Sequence, residues 1–392
     1  MHKTIWVTAI VRLTLLAHLL TQLFLYKAWT LNRVFPTLTV FPFAQNLPRE
    51  FPFILYCATI AITLLLLWKP HWKKGVGLWI VLVVGSWAWD YVFWQPYTYC
   101  FLAIAVIHFF SKSEKQFWTR CLLLLSALYT FSGLHKINGA FLYTIWDSYV
   151  LKNRFGITSN DSFFLFFHYA GLLVGLIEIL FGIGLLFQQT RLGAFRGLVL
   201  MHVLILLGLS PIGFFSNGVV VPWNILLLGI SGIGCVATKK RFFDALWPLE
   251  FKKHGLVILC FWILPVFGYF GYYNRYFSFD VYSGKGKSLS IIFDNYNDCP
   301  KPLLSFLHLR KIENKTYWVV SPSRWCKREL HLVLPNDDYI LHSFVVAYEK
   351  EFSNSKGYWY ITSYPFTANT SYRIKMGNPL QVGCIENLQK KR

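Results

Sequence analysis

Residues 117–134 read Phe117-Trp-Thr-Arg-Cys-Leu-Leu-Leu-Leu-Ser-Ala-Leu-Tyr-Thr-Phe-Ser-Gly-Leu134, and His135 and Lys136 follow directly. A helix that crosses a bilayer needs about 20 mostly apolar residues, so this run predicts a membrane span that ends at the two basic residues. A lysine held partly out of water there loses its proton more readily, because desolvation disfavours the ammonium form. Lys136 is therefore a candidate general base. The alternative is a boundary lysine that extends its side chain to the lipid headgroups.

The composition around this stretch is that of a membrane protein. The chain is 55% hydrophobic and only 14% charged, whereas soluble domains carry about 25% charged residues. The net charge of +20 is attributed to cytoplasmic loops and the surface of the lipid bilayer, so no nucleic-acid partner is expected. The sequence lacks the spacings of zinc fingers and of phosphate-binding loops. The composition thus predicts a polytopic integral membrane protein.

The apolar runs predict an all-α bundle of about nine transmembrane helices over residues 1–273. The predicted spans are residues 5–26, 51–68, 75–94, 97–111, 117–134, 163–187, 193–213, 218–237 and 254–273. Residues 27–50 contain three prolines and are predicted to form an irregular loop. Residues 137–162 are apolar but interrupted by charge, which indicates a re-entrant or interfacial helix.

Basic residues orient the predicted bundle. They follow the second, fourth, sixth and eighth spans, as in Lys73-Lys74 and Lys239-Lys240-Arg241, whereas the loop around Gln95 and the loop 210–217 carry none. Positive charge is enriched in cytoplasmic loops, so the N-terminus is predicted to be cytoplasmic. Nine spans then place residues 274–392 outside the cytoplasm.

The polar tail, residues 274–392, is predicted to be a small β-rich extracytoplasmic domain. Three short apolar stretches, Leu289–Phe293, Thr316–Val320 and Tyr358–Ile361, have the composition of strands and are separated by turn residues. In an oxidising compartment cysteines can pair. The candidates are Cys100, Cys299, Cys326 and Cys384, and both a disulfide among them and unpaired thiols remain open.

Polar groups in the predicted spans are candidates for a site, because ionisable residues are costly in lipid. The orientation draws several of them to the outer half of the bundle, near Lys136. These are Asp90, His135, His168, Asn217 and Asn224. Glu178 and His202 lie deeper in their spans. The alternative for each is a hydrogen bond between helices, which is the preferred interpretation for Arg12, His18 and His108. No span carries two His or carboxylate groups at metal-ligand spacing, so no metal is expected.

Four motifs resemble a known family. They are Gly133-Leu134-x-Lys136, the mid-span acid Glu178, Arg196-Gly197-x4-His202 and Phe277-Ser-Phe-Asp-Val-Tyr-Ser-Gly284. Together they resemble the horizontally transferred transmembrane (HTTM) family, relatives of the vitamin K-dependent γ-glutamyl carboxylase, a lyase. The resemblance covers residues 5–290. The tail departs from the carboxylase, which carries a far larger lumenal region that binds protein substrates.

The resemblance implies a quinol-dependent enzyme that uses a reduced, vitamin K-like quinone as cofactor. The lysine matching Lys136 is the proposed base, His135 or Asp90 would tune it, and the chemistry would take place on the lumenal side. The groups expected near the quinone are His168, Glu178, His202, Asn217, Trp223 and Asn224. Two other hypotheses remain open: a quinone-binding electron-transfer subunit similar to DoxX-like proteins, and a non-catalytic membrane scaffold. The sequence names no protein partner.

Overall fold

The computed structural model describes residues 5–30, 32–48, 50–210, 217–239, 251–312, 314–365 and 368–377. The α-helices of the first 270 residues are α1 (Ile5–Phe24), α2 (Phe51–Trp68), α3 (Lys73–Trp89), α4 (Pro96–Phe110), α5 (Glu114–Lys136), α6 (Phe164–Gly184), α7 (Arg191–Leu209), α8 (Val221–Lys239), α9 (Phe251–Ile258) and α10 (Leu264–Phe267). A π-helix, Phe141–Phe155, lies between α5 and α6. A second π-helical segment, Leu259–Ile263, joins α9 to α10.

Seven helical segments in the described part of the chain are long and apolar enough to cross a membrane. They comprise α1, α2, α5, α6, α7, the segment Gly218–Lys239 that contains α8, and Lys252–Phe270. The two other predicted spans are helices of 17 and 15 residues, α3 and α4. The structure thus supports an integral membrane protein, and the count of nine spans stays a prediction. The interrupted segment 137–162 contains the first π-helix.

Helix α5 is the most enclosed of the seven. In its apolar window 78% of the residues are buried, compared with 22% in α6, so most of the α6 surface is free to face lipid. Ser113 begins α5 by accepting a hydrogen bond from the backbone N–H of Gln116, a standard N-terminal cap. The stretch from which the fold was predicted is therefore the central helix of its part of the molecule.

The chain divides into two compact units. Unit 1 comprises Met1–Leu23, Ala58–Val83 and Pro96–Gly284. Unit 2 comprises Phe24–Cys57, Val84–Gln95 and Lys285–Arg392. The predicted division at residues 273 and 274 follows composition alone, whereas unit 2 also contains two segments from the first 95 residues.

An antiparallel five-stranded sheet forms the centre of unit 2, with strand order β2-β3-β1-β4-β5. The strands are β1 (Lys287–Phe293), β2 (His308–Ile312), β3 (Lys315–Val320), β4 (Tyr358–Ser363) and β5 (Ser371–Lys375). Ile292 of β1 lies opposite Val319 of β3 and Tyr358 of β4. The three predicted strands are confirmed as the central strands of this sheet, and both edge strands were missed.

Two helices in unit 2, α11 (Pro322–Leu330) and α12 (Asp338–Glu351), were also not predicted. Their apolar side chains pack on one face of the sheet through aromatic contacts. Trp359 of β4 lies edge-on to Tyr348, with ring centroids 5.2 Å apart, and Phe344 contacts both Trp325 and Trp359. The tail is therefore a mixed α+β structure and not purely β.

Cys100, Cys299 and Cys326 are free, buried thiols in the structure, and Cys384 lies outside the described residues. No disulfide joins the three described cysteines, so a bridge that includes Cys384 is the part of the prediction still open. Burial raises the pKa of the Cys299 thiol to about 12 and also raises that of Cys326. Both thiols are therefore protonated at neutral pH and react poorly.

Candidate functional site

Lys136, the last residue of α5, is buried rather than extended to solvent, with a side chain that is 8% exposed. Its ammonium nitrogen lies 2.7 Å from Oε2 of Glu178 on α6 and 2.7 Å from the Ser132 hydroxyl, one turn earlier on α5. The lysine therefore does not adopt the snorkelling conformation that the alternative interpretation required. Sequence reasoning found both charged residues but did not pair them.

Glycines bring the two helices close enough for this pairing. A Cβ atom on Gly133 would lie 2.4 Å from the carbonyl oxygen of Gly175, and one on Gly175 would lie 2.7 Å from that of Gly133. Further along, the Ser126 hydroxyl donates to the Gly182 carbonyl at 2.6 Å. Backbone-to-backbone contact of this kind is typical of small residues in membrane helices. Gly175 and Gly182 of α6 are thus the structural reason that Lys136 reaches Glu178.

Glu178 has spare hydrogen-bonding capacity. Among the residues that the structure describes, its carboxylate accepts hydrogen bonds only from Lys136, through Oε2. A carboxylate has about four acceptor positions on its two oxygens. The second oxygen, Oε1, is therefore able to bind a further donor such as a ligand hydroxyl.

A second buried network begins at Tyr129, which lies seven residues before Lys136 on the same face of α5. The Tyr129 hydroxyl is 2.7 Å from His202 Nε2, and His202 Nδ1 is 3.0 Å from Asn224 Oδ1. The Asn224 amide nitrogen donates to the Val220 carbonyl, which leaves Oδ1 to accept from His202. Nδ1 therefore carries the proton, and Nε2 accepts the proton of Tyr129. Glu178 lies close enough to Tyr129 to act on it electrostatically.

His168 forms a third pair on the buried face of α6. Its Nδ1 lies 2.8 Å from Oδ2 of Asp147, which the π-helix supplies. Trp146, the preceding residue of the π-helix, covers Gly171 and donates to the Phe167 carbonyl. A carboxylate on Nδ1 fixes the imidazole so that Nε2 can accept a proton. Asp147 was missed because no local pattern connects it with His168.

His135 contacts the segment that follows the last helix of unit 1. Its ring stacks on Tyr269 with centroids 4.2 Å apart, and its Nδ1 lies 4.0 Å from Oδ2 of Asp280. Arg275 donates to the same oxygen through two nitrogens, at 2.8 and 2.7 Å. Burial alone would raise the pKa of Asp280, but the charges of Arg275 and His135 outweigh it and lower this pKa below its ordinary value. The negative charge beside His135 is therefore Asp280, which lies in the Phe277–Gly284 motif but was not predicted as a site residue.

The remaining candidates have other partners. Asp90 belongs to unit 2, where it binds Arg33 and two backbone N–H groups. Asn217 lies beside Tyr282, and Trp223 is buried beside the thiol of Cys100. The structure thus brings together Lys136 with Glu178 and His202 with Asn224. It gives Asp90, Asn217 and Trp223 other partners.

The three basic residues assigned to packing make the following contacts. Arg12 donates to the Leu67 carbonyl of α2, which is an interhelical hydrogen bond. His18 bonds Gln22 of its own helix and lies edge-on to Trp79. His108 bonds the Pro70 carbonyl. Over the described residues, no three His, Cys, Asp or Glu side chains are grouped so that they could hold a metal ion.

Comparisons of the chain with protein-family profiles, with curated proteins and with solved structures found no match. The resemblance to the HTTM family therefore depends on the motif residues alone. Two of those residues, Lys136 and Glu178, are the ones that the structure pairs.

Proposed function

We propose that the chain is a membrane-embedded, quinol-dependent enzyme of the carboxylase-like type, with Lys136 as its base and Glu178 as the partner of that base. The observation that carries the proposal is the buried Lys136–Glu178 pair with its open carboxylate oxygen. Ionisable groups within membrane segments are rare, and their cost is usually justified by function. A pair with spare acceptor capacity is suited to exchange a proton with a ligand.

The pair can store one proton in two arrangements. The ammonium–carboxylate form and the amine–carboxylic acid form have the same summed charge, and they differ only by a proton moved over the 2.7 Å contact. In the amine form Lys136 can accept a proton from an acid placed beside it. Ser132 would hold the nitrogen in place through its 2.7 Å hydrogen bond.

The residues present fit a hydroxylated ring. A buried amine, a serine hydroxyl and an open carboxylate oxygen offer donors and acceptors within one turn of α5 and the facing turn of α6. When bound, a reduced quinone would supply an acidic hydroxyl and reducing electrons. The tyrosine hydroxyl of Tyr129, held by His202, would order the polar surroundings next to Glu178. His168, fixed by Asp147, adds another potential proton acceptor on α6.

The first test is chemical identification of the ligand. The full chain is purified in mild detergent, its lipid extract is analysed by mass spectrometry, and the same is done with Lys136→Met. We expect a quinone to copurify with the wild type, and quinol oxidation to be lost in the variant. Incorporation of labelled CO2 would assign the carboxylase type, whereas quinol turnover without it would favour the electron-transfer subunit. Reproducible absence of both quinone and turnover would contradict the proposal and favour the scaffold.

The same proposal includes the topology. The positions of the basic loops predict that the N-terminus is cytoplasmic and that residues 274–392 are extracytoplasmic. A cysteine placed at Asn354, which is exposed, should react with a membrane-impermeant maleimide in intact cells, over the background of the unaltered chain. Labelling only after permeabilisation would mean that the number of spans is wrong by one.

A further inference from the structure

The segment between α1 and α2 has a fixed base within unit 2. Arg33 donates to the carbonyls of Phe35 and Pro36, at 2.9 and 2.8 Å. The backbone N–H of Phe35 donates to Oε2 of Glu329 on α11, at 3.0 Å. The Phe35 ring, 1% exposed, packs against Trp325 with centroids 4.9 Å apart. The segment is therefore attached to the helices that cover the sheet.

Beyond this base the segment carries an exposed aromatic tip. Phe41 and Phe43 stack with centroids 5.6 Å apart and an interplanar angle of 12°, and they are 47% and 61% exposed. A short 3-10 helix, Pro42–Asn46, holds the two rings on one side. No charged residue occurs from Val34 to Pro48. Two large apolar side chains that are held together and exposed in this way mark an interaction site.

The tip is continuous with a membrane helix. Phe51 begins α2, one of the helices able to cross a bilayer, and Phe53 and Ile54 in its first turn are 48% and 61% exposed. The tip thus precedes a lipid-facing surface by only a few residues. Because α1 ends and α2 begins on either side of it, the segment must lie at a membrane surface. Apolar aromatic residues at that depth are stabilised in the boundary between headgroups and acyl chains.

We propose that Phe41 and Phe43 insert into the interfacial layer of the bilayer and anchor unit 2 to the lipid. The partner is phospholipid, chosen because residues 34–48 carry no charge and the segment leads into a helix able to cross a bilayer. Since the base is attached to α11 through Glu329, the anchor also holds the sheet of unit 2 at the membrane surface. This inference is independent of the quinol chemistry.

The test uses a photoreactive phenylalanine, p-benzoylphenylalanine, in the full chain reconstituted in phosphatidylcholine nanodiscs. One variant carries it at Phe43. The control carries it at Tyr296, which is 46% exposed in the polar part of unit 2 and contacts Trp318. After irradiation we expect lipid adducts at position 43, identified by mass spectrometry, in several-fold excess over position 296.

Equal adduct yields at the two positions would overturn the proposal. Crosslinking of position 43 to a second copy of the chain, or to another protein in native membranes, would also overturn it by showing a protein partner in place of lipid. Thermal unfolding of both variants is measured as well. The replacement of one aromatic ring by a larger one at an exposed site should leave unfolding unaffected.

Discussion

Two buried ion pairs, one in each unit, have almost the same geometry and different surroundings. Lys136–Glu178 and Arg33–Asp90 both have nitrogen–oxygen distances of 2.7 Å and side chains that are at most 11% exposed. Asp90 also accepts the backbone N–H groups of Leu38 and Val92. Arg33 donates further to backbone carbonyls. Glu178, by contrast, accepts only from Lys136 within the described residues.

The difference separates a carboxylate that several donors hold from one that keeps a free acceptor oxygen. A saturated pair fixes a chain segment, because each charge is held by several partners and gains nothing from an added ligand. An unsaturated pair in a membrane helix still bears the desolvation penalty of its two charges, and its carboxylate has an acceptor position left for a ligand. Distance and burial alone would have ranked the two pairs as equal. The number of hydrogen bonds on each carboxylate distinguishes them.

The largest expected effect is that of Lys136→Arg on activity. Arginine can keep the ion pair with Glu178, but its guanidinium stays protonated and cannot act as a base. We expect quinol oxidation to fall about 10² to 10⁴-fold, the usual contribution of a general base, while thermal unfolding is unchanged. Full activity in this variant would end the base hypothesis and leave the pair as a structural tie between α5 and α6.

For stability we expect the opposite order, with a larger loss when the Arg33–Asp90 pair is broken than when the Lys136–Glu178 pair is broken. In Arg33→Met the Asp90 carboxylate loses its cation but is still held by two backbone N–H groups, so it remains a buried charge without a counter-ion. Breaking such a pair costs about 3–5 kcal/mol. In Lys136→Met, Glu178 keeps no donor among the described residues and can become neutral by taking up a proton, so we expect a smaller loss.

The measurement is the unfolding of both methionine variants in the same detergent. The Arg33 variant should unfold at a clearly lower denaturant concentration, while its activity per folded molecule stays that of the wild type. If Lys136→Met were the less stable of the two, Glu178 would have to be held as a carboxylate. The contrast between the two pairs would then fail.

A third test concerns the approach of α5 to α6. In Gly133→Ala the new methyl group would lie 2.4 Å from the Gly175 carbonyl oxygen. Because this oxygen belongs to the backbone of α6, it can move aside only if the two helices separate. We expect a loss of about 1–3 kcal/mol and a parallel loss of activity, since the separation also lengthens the Lys136–Glu178 contact.

The matched control is Gly193→Ala on α7, where an added Cβ has no atom within 4 Å. Alanine has the higher helix propensity, so this variant should be neutral or stabilised by up to about 1 kcal/mol. Unfolding measured for the two variants side by side distinguishes a packing effect from a general effect of removing glycine. Equal stability would show that α5 and α6 tolerate a wider spacing.

The smallest expected effect is the dependence of stability on pH that Asp280 contributes. Asp280 lies outside the predicted membrane spans, and its carboxylate has more donors than that of Glu178 and fewer than that of Asp90. Its pKa is lowered in the folded protein, after Arg275 and His135 outweigh burial. A lowered carboxyl pKa gives stability that is complete above the unfolded value of about 4 and is lost as the pH falls through the folded value. We expect Asp280→Asn to flatten this acid limb of the unfolding curve. An unaltered acid limb would mean that Asp280 is not held as a carboxylate.

The central strands could be predicted and the edge strands could not, for a physical reason. Leu289–Phe293 of β1 is buried throughout, so all its residues except Ser290 are apolar and the stretch is easily recognised. The edge strands β2 and β5 read His-Leu-Arg-Lys-Ile and Ser-Tyr-Arg-Ile-Lys. Charged residues on edges protect a sheet from pairing with other chains, and they also remove the apolar signal. The start of helix α11 could have been predicted, because Ser321 is an N-cap residue and Pro322 occupies the first helical position.

The sequence by itself determined the class of the protein and the position of its central helix. Hydrocarbon offers no hydrogen-bond partners to the backbone, so a long apolar run such as Phe117–Leu134 has to be helical whatever surrounds it. Only the tertiary structure decided which charges meet. Glu178 and Lys136 are 42 residues apart, and Asp147 and His168 are 21 apart. Those pairings depend on how closely the helix backbones approach and on the π-helical geometry of residues 141–155. Gly175 and Gly182 favour a close contact of α6 with another helix, but no local pattern specifies which helix that is or predicts the π-helix.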